Sequence, residues 1–476
     1  MTKFWHPTAL TVALLAAFPL AAGAQSVAQS LDDLRKEQKA LKDKIDALEK
    51  KLKDAEAKPA EGGMTPQQQQ DLNRIVVKTE ALEDNQESMG FRGLKISGQM
   101  DPSFIYNKAQ DRAGFQFLNK IDDDGYNYDN SYFGMAMIDF QKEMEGGTKW
   151  RLTLAPNRGV GAVFDGSSIV HEASVSIPLG DLQTRLIAGQ IPDWSGYEYL
   201  QPTLNKLITH NLLFDFTLPT AYTGVGMELT RGKWIVKGVL ANMNASKRSS
   251  GEKTPVFAYR VDYSKGEYQG FGFAGVHGKA ANLRAFDDTT SSGLAANPIT
   301  GVDYSGKDTA LHLFEADAYF IRGDWTVQGQ VSYGQQKDAA ITADAETGNL
   351  RKASWYGLST LAAYKFNPRL EGIARFDYIN NKKNGGGLLG YGSDDRNGIG
   401  PGFTDDGTGV WTQNDPETGA NRYALSLGMG YLFNLNTTFK VEYRLDRASQ
   451  AVFNYVKDGS YKKTNHLLGA GMVVSF

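Results

Sequence analysis

Near its C-terminus the chain reads Phe439-Lys440-Val441-Glu442-Tyr443-Arg444-Leu445-Asp446, a strict alternation of apolar and charged residues. In an extended strand successive side chains point to opposite faces, so Lys440, Glu442, Arg444 and Asp446 share one side. Four charges on one side cannot face a dry core without compensation, but they can line a water-filled lumen and act on a passing solute. The same mixture recurs at the inward positions of other strands: Arg151, Arg185, Lys237, Arg260 and Arg375 against Glu172, Asp262, Glu315, Asp317, Glu371 and Asp377. A further group lies between strands, over 192–222. There Asp193, Glu198 and Asp215 stand against Lys206, with His210 neutral, among the aromatic residues Trp194, Tyr197, Tyr199, Phe214 and Phe216. Those rings either stack on sugars and other planar solutes or pack the loop itself. The chemistry in view is electrostatic and steric selection.

Bond-making chemistry finds little support. The chain has no Cys, which excludes disulfides, thiolate metal sites and Cys nucleophiles. His171, His210, His277, His312 and His466 are scattered, and neither GxSxG nor HExxH occurs. No catalytic residue, cofactor or metal is expected. Two acidic loops, 122–130 and 393–409, carry Asp and Asn oxygens of the kind that hold Ca²⁺. They lack the spacing and closing Glu of an EF-hand and read as solvated loops. A net charge of −3 gives no reason to expect a nucleic-acid partner.

The elements that must position these charges are strands. From Leu94 the side-chain period is two, with Leu94, Ile96, Met100, Phe104 and Tyr106 on one side. Seven joints carry the Gly, Asn, Asp and Pro of tight hairpins: Gly146-Gly147, Pro178 to Asp181, Arg231 to Lys233, Ser264 to Glu267, Arg322 to Asp324, Asn367 to Arg369 and Asn434 to Asn436. The joints between them are long, covering 108–130, 158–167, 192–222, 244–255, 279–308, 336–352, 380–420 and 448–464. Short and long joints alternate through about 16 strands, as in a closed up-and-down barrel with short turns on one rim. A sandwich or propeller does not require this alternation. Tyr106, Tyr333, Phe366, Tyr378 and Phe433 lie near strand ends, where interfacial girdles sit. The final strand puts Leu468, Ala470, Met472, Val474 and Phe476 on one apolar face.

An alternating final strand ending in Phe476, after about 16 strands, resembles the Gram-negative outer-membrane porins. The stretches "GQIPDWSGYE" and "LPTAYTGVGMEL" are similar to phosphate-selective and related porin-like groups. The resemblance covers 94–476. It implies an all-β transmembrane barrel in the outer membrane, contacting lipid and lipopolysaccharide, associating with itself as a homotrimer, and passing small hydrophilic solutes or ions passively. It also implies that Leu468, Met472, Val474 and Phe476 are read by the barrel-assembly machinery, and that the loop at 192–222 folds into the lumen. One lysine against three carboxylates departs from the clustered Lys and Arg of a phosphate pore. The constriction candidates are Asp193, Glu198, Lys206, His210, Asp215, Arg151, Arg185, Arg260, Arg375, Lys440, Glu442 and Arg444. A structural tether or adhesin with a plugged barrel is the alternative.

The N-terminal part divides in three. Lys3 and His6 precede the apolar run Leu10 to Leu20, and Ala22-Gly23-Ala24 precedes Gln25. This predicts a signal peptide over 1–24. Over 25–58 a heptad repeat places Leu31, Gln38, Ile45 and Leu52 at a, and Leu34, Leu41 and Leu48 at d. The flanking residues pair Glu37 with Lys42, Lys44 with Glu49 and Lys51 with Glu56 in a parallel, in-register coil. A hinge and second helical segment follow over 59–92. The expected arrangement is a periplasmic α-helical coiled-coil stalk before a barrel at 93–476.

Overall fold

The computed structural model describes residues 74–78, 93–117, 134–155, 169–243, 255–264, 267–281, 297, 299–301, 308–339, 344, 346–349, 351–381, 399–414 and 418–476. The signal-peptide and coiled-coil expectations, including Leu31, Leu34, Gln38, Leu41, Ile45, Leu48 and Leu52, lie outside these residues. The chain divides into two units, Met1–Arg92 and Gly93–Phe476. In the first, residues 74–78 are helical.

In the second unit the alternating segments form a wall of antiparallel strands. The first stave is β1 (Leu94–Met100) continued by β2 (Ser103–Asn107); the second is β3 (Arg112–Gln116) continued by β4 (Ala136–Glu143). Then follow β5 (Lys149–Leu154), β6 (Val170–Leu179), β7 (Asp181–Pro192), β8 (Ala221–Arg231), β9 (Trp234–Met243), β10 (Val256–Ser264) and β11 (Gln269–Ala281). Next come β12 (Asp308–Arg322), β13 (Trp325–Gln336), β14 (Ala353–Asn367) and β15 (Leu370–Asn380). A small hairpin outside the wall, β16 (Phe403–Asp405) with β17 (Trp411–Gln413), precedes β18 (Arg422–Asn434) and β19 (Thr437–Ala448). A second such hairpin, β20 (Phe453–Tyr455) with β21 (Ser460–Lys462), precedes the last strand, β22 (Thr464–Ser475). β22 pairs with β19 on one side and with β1 and β2 on the other, so sixteen staves close into a barrel. Phe476 seals the seam: its N–H donates to the Gly98 carbonyl at 3.0 Å and its carbonyl accepts from Gly98 N–H at 3.2 Å.

All seven short joints connect neighbouring staves. Gly232 and Gly323 sit at φ +59° and +57°, a region that tight hairpins need and that glycine enters without steric cost. The first long joint differs from expectation. The chain turns tightly after Asn107 into β3, leaves the wall after Gln116 and re-enters at Gly134. Opposite this gap the first stave is itself interrupted, at Asp101-Pro102 between β1 and β2. There the Asp101 carboxylate accepts the Met135 N–H at 2.5 Å, and the Asp101 N–H donates to the Met135 carbonyl at 3.0 Å.

Alternation sorts the side chains by face. On β19, Phe439, Val441 and Tyr443 are exposed outward, while Lys440, Glu442, Arg444 and Asp446 are buried inside. On β13, Val327, Val331 and Tyr333 face out and Gln330 and Ser332 face in. Trp234, Tyr263, Trp325 and Tyr364 ring the outside near the short turns, with Trp234–Tyr263 and Trp325–Tyr364 centroids both 4.8 Å apart. Phe314, Tyr333, Tyr356 and Tyr378 form the belt toward the long loops. An apolar outer band between aromatic girdles is the surface that lipid demands. Among the described residues no helix is long and apolar enough to cross a membrane, which says nothing about strands.

The interior departs from a uniformly polar lumen. Toward the long loops the inward positions of β9 to β12 are apolar and buried: Val239, Ala241, Val256, Ala258, Val276, Leu311 and Leu313.

Candidate functional site: a loop docked across the lumen

Between β7 and β8 the chain turns inward. β7 and β8 are the fifth and sixth staves; β15, β18 and β19 are the thirteenth to fifteenth, half a circumference away. Residues 193–220 reach that opposite wall. At the loop's base, the Asp193 carboxylate accepts the Tyr222 hydroxyl at 2.5 Å and the Ser195 N–H at 2.9 Å. Tyr197 then meets the Ser359 hydroxyl of β14 at 2.5 Å. Asn211 caps a short helix, α1 (Leu212–Phe216), by accepting the Phe214 N–H at 2.8 Å.

Wall charges hold the loop's backbone. Glu442 of β19 accepts the N–H groups of Ile208 and Thr209, both at 2.8 Å, and the Thr209 hydroxyl at 2.6 Å. Arg375 of β15 donates to Glu198 at 2.9 Å, to the His210 carbonyl at 2.8 Å and to its neighbour Asp377 at 3.0 Å. Arg444 donates to the same His210 carbonyl at 2.7 Å. Lys440 caps the carbonyls of Pro202 and Asn205. Lys206 on the loop pairs with Glu371 at 2.6 Å. Arg422 lies over the Phe216 and Phe453 rings, 5.5 and 5.1 Å from their centroids, and pairs with Asp446 at 3.0 Å. Buried ions this well partnered fix a geometry, because removing one partner strands the others.

Apolar contacts complete the docking. Leu207 packs with Tyr197, Leu361, Ala363 and Ile373; Ile208 packs against Ile105 and Leu467. Two wall glycines make room: a Cβ at Gly357 would collide with Leu213, and one at Gly428 with Leu207.

The loop's own ionisable groups are perturbed by this burial. Desolvation raises Glu198 to about 7, Asp215 to about 8 and Asp193 to about 6. The same cause lowers His210 to about 3, so its ring is neutral; it hydrogen-bonds the Tyr199 carbonyl at 2.9 Å and stacks on Phe214.

The docked loop leaves open space on the other side. A cavity of about 630 Å³ is lined by loop residues Asp193 to Gln201 and by Arg151, Glu172, Lys237, Arg260, Asp262 and Asp317. Its cations are paired: Arg151 with Asp139 at 2.9 Å and Glu172 at 3.2 Å, Arg260 with Asp317 at 2.5 Å. A second space of about 440 Å³ lies at the short-turn rim, between Pro202 to Lys206 and the turns at Asn367 to Arg369 and Leu435-Asn436.

The sequence candidates thus fall into two groups. Glu198, Lys206, His210, Arg375, Lys440, Glu442 and Arg444 are gathered at the docking contact, with Asp215 buried beside it. Of these, Arg375 and Arg444 are 1% and 0% exposed, so they hold the loop instead of lining water as expected. Asp193, Arg151 and Arg260 border the larger cavity. Arg185 stands apart near the short-turn rim, spent on Ser176 at 2.6 Å and the Gly147 carbonyl at 2.7 Å. Leu468 and Phe476 face outward at 51% and 70% exposure, with Met472 and Val474 half-buried on the same face. Thr209, Asn211 and Arg422 were not singled out by sequence, and the glycines at 357 and 428 that make room for the loop lie among other small inward residues such as Ala424, Ser426 and Ser359. The acidic stretch 122–130 lies outside the described residues. In the other, Asp405 and Asp406 are engaged by the N–H groups of Gly407, Gly409 and Thr408, as a turn requires.

A family model described as a protein of unknown function (DUF3138) matches residues 65–476. The chain belongs to this family. No curated protein matches the sequence. Among solved structures, a loop L8 deletion mutant of OmpT, an outer membrane protein of Vibrio cholerae, is similar at 12% identity and TM-score 0.49, over 80% of this chain and 99% of that one. An anion-selective porin from Comamonas acidovorans is similar at 10% identity and TM-score 0.46, over 80% and 99%. OmpF of Salmonella typhi, in complex with daunomycin, is similar at 13% and 0.46, over 80% and 97%. The barrel of this DUF3138 chain rests on its own strand pairing, not on likenesses of this degree.

Proposed function

We propose that the chain forms an outer-membrane channel for passive diffusion of small hydrophilic solutes or ions, narrowed by the loop at 193–220. The observation that carries this reading is the inverted wall: apolar residues outside, and inside a cavity of about 630 Å³ bordered by carboxylates and paired cations. Nothing in this reading needs an energy source or a reaction. Homotrimeric association, contact with lipopolysaccharide, recognition of the strand from Leu468 to Phe476 by the barrel-assembly machinery, and a periplasmic coiled-coil stalk over 25–58 belong to the same proposal.

A specific observation favours a second reading, a plugged barrel serving as a tether or adhesin. The loop meets the far wall through apolar contacts as well as buried ion pairs, and the inward face of β9 to β12 is apolar toward the long loops. Liposome swelling separates the two. Vesicles containing the refolded full-length protein are placed in sugars of increasing size. Swelling that is fast in the smallest sugar and falls with solute size is expected of a narrowed channel. No swelling from a folded barrel would replace the channel with the plugged form.

A further inference from the structure

His277 on β11 and His312 on β12 are direct cross-strand partners in the ladder. Both point away from the lumen, since the alternating positions Val276, Leu311 and Leu313 are the buried ones. Their Nδ1 atoms lie 3.2 Å apart. Neither residue has a part in docking the loop or in lining either cavity.

Their height on the wall matters. Phe314, Tyr333 and Tyr356 are successive register partners forming the aromatic belt toward the long loops. The histidines lie one outward position beyond it: His312 pairs with Gln335, which pairs in turn with Ser354. Lys279 follows His277 on the same outward face and is exposed. On the β13–β14 side the outer surface therefore changes from apolar to polar at the level of the pair, while on the β9–β10 side it stays apolar through Phe257, the register partner of His277, and Leu240. Below the pair, the rings of Phe314 and Tyr259 pack against His277 at centroid distances of 4.6 and 5.7 Å and orient its ring.

Two imidazole nitrogens each about 2.0–2.1 Å from one metal ion, and separated as these are, subtend about 100° at the metal. That falls between the square-planar and tetrahedral angles of adjacent ligands to Cu²⁺, Ni²⁺ or Zn²⁺. The pair thus holds the separation of two neighbouring ligands without any strand movement. We propose that His277 and His312 form a two-histidine site for a divalent transition-metal ion on the outer wall, at the aqueous edge of the apolar band. Among the described residues no third His, Asp or Glu joins the pair to make a group that could hold a metal. The proposal does not depend on whether the barrel conducts. His466 serves as a built-in control: it also faces outward, but its Nδ1 meets the Tyr443 hydroxyl at 2.8 Å and it has no second imidazole.

The test uses untagged, refolded full-length protein in detergent, titrated with Cu²⁺ and read by electron paramagnetic resonance. One ion per barrel with two equatorial nitrogens is expected. H277N and H312N should each weaken binding by about tenfold or more, and H466N should leave it unchanged. A measurement on the unmutated chain removes any dependence on variant folding: Zn²⁺ should protect His277 and His312, but not His466, from carbethoxylation mapped by mass spectrometry. Binding that survives in both variants, equal protection of all three histidines, or no binding at millimolar Cu²⁺ would overturn the site.

Discussion

Glu442 is the residue on which the loop's docking turns, because one carboxylate holds two backbone N–H groups and a hydroxyl of the loop. E442Q keeps the shape and removes the charge, leaving Arg375 and Arg444 less compensated. Disrupting one partner of a buried ionic cluster costs about 3–5 kcal/mol. The expected outcome is loop release, read as faster tryptic cleavage after Lys206 in the folded barrel; an unchanged cleavage rate would contradict it. Gly428→Val tests the apolar side of the same contact. Its side chain would meet Leu207, and overpacking costs about 1–3 kcal/mol, so it too should speed cleavage. The pH dependence follows from signs. Asp193, Glu198 and Asp215 have raised pKa values of about 6, 7 and 8, so each favours the docked loop below its ordinary carboxylate value and loses that effect as pH rises through its raised value. His210, lowered to about 3, acts oppositely: its contribution is present above its ordinary value and lost as pH falls toward 3. One histidine offsets only one of three acids, so docking should weaken from about pH 4 to pH 8. Cleavage at Lys206 by a protease active across that range should accelerate with pH; a flat profile would refute the assignment.

At the scale of elements, β22 is the strand that abolishes the sheet's edges. Truncation after Lys463 would leave β19 and the first stave with unpaired backbone groups, an invitation to aggregate. No heat-modifiable folded band is expected from that variant on cold electrophoresis, and its appearance would contradict the closure. Strands such as β19 were legible because a period of two, held over eight residues, leaves little else for Phe439 to Asp446 to be. The short turns were legible for a similar reason, since Gly232 and Gly323 occupy backbone conformations that few other residues enter. The exit from the wall after Gln116 was not legible, because alternation continues on both sides of it and the break shows only in how Asp101 and Met135 pair across the staves. The landing place of the loop was hidden for a different reason. Lys206 and Glu371, or Thr209 and Glu442, are joined by the barrel's closure, and no local pattern records which inward charge meets which loop residue. The histidine pair on β11 and β12 escaped notice likewise, since the two residues become neighbours only through strand register.

For the whole molecule, the wall and the loop have separable roles. The wall's ladder is continuous without residues 194–218, so a barrel with that segment replaced by a short Gly-Ser linker should still fold and keep its outer surface. What it should lose is the obstruction reaching from the fifth and sixth staves to the thirteenth to fifteenth. The most direct measurement is therefore single-channel conductance in a planar bilayer, comparing the full-length protein with the loop-replaced barrel under one KCl concentration. Discrete steps are expected from the full-length protein, and steps several-fold larger from the loop-replaced one. Equal steps from both, or no steps from a folded full-length barrel, would contradict that expectation.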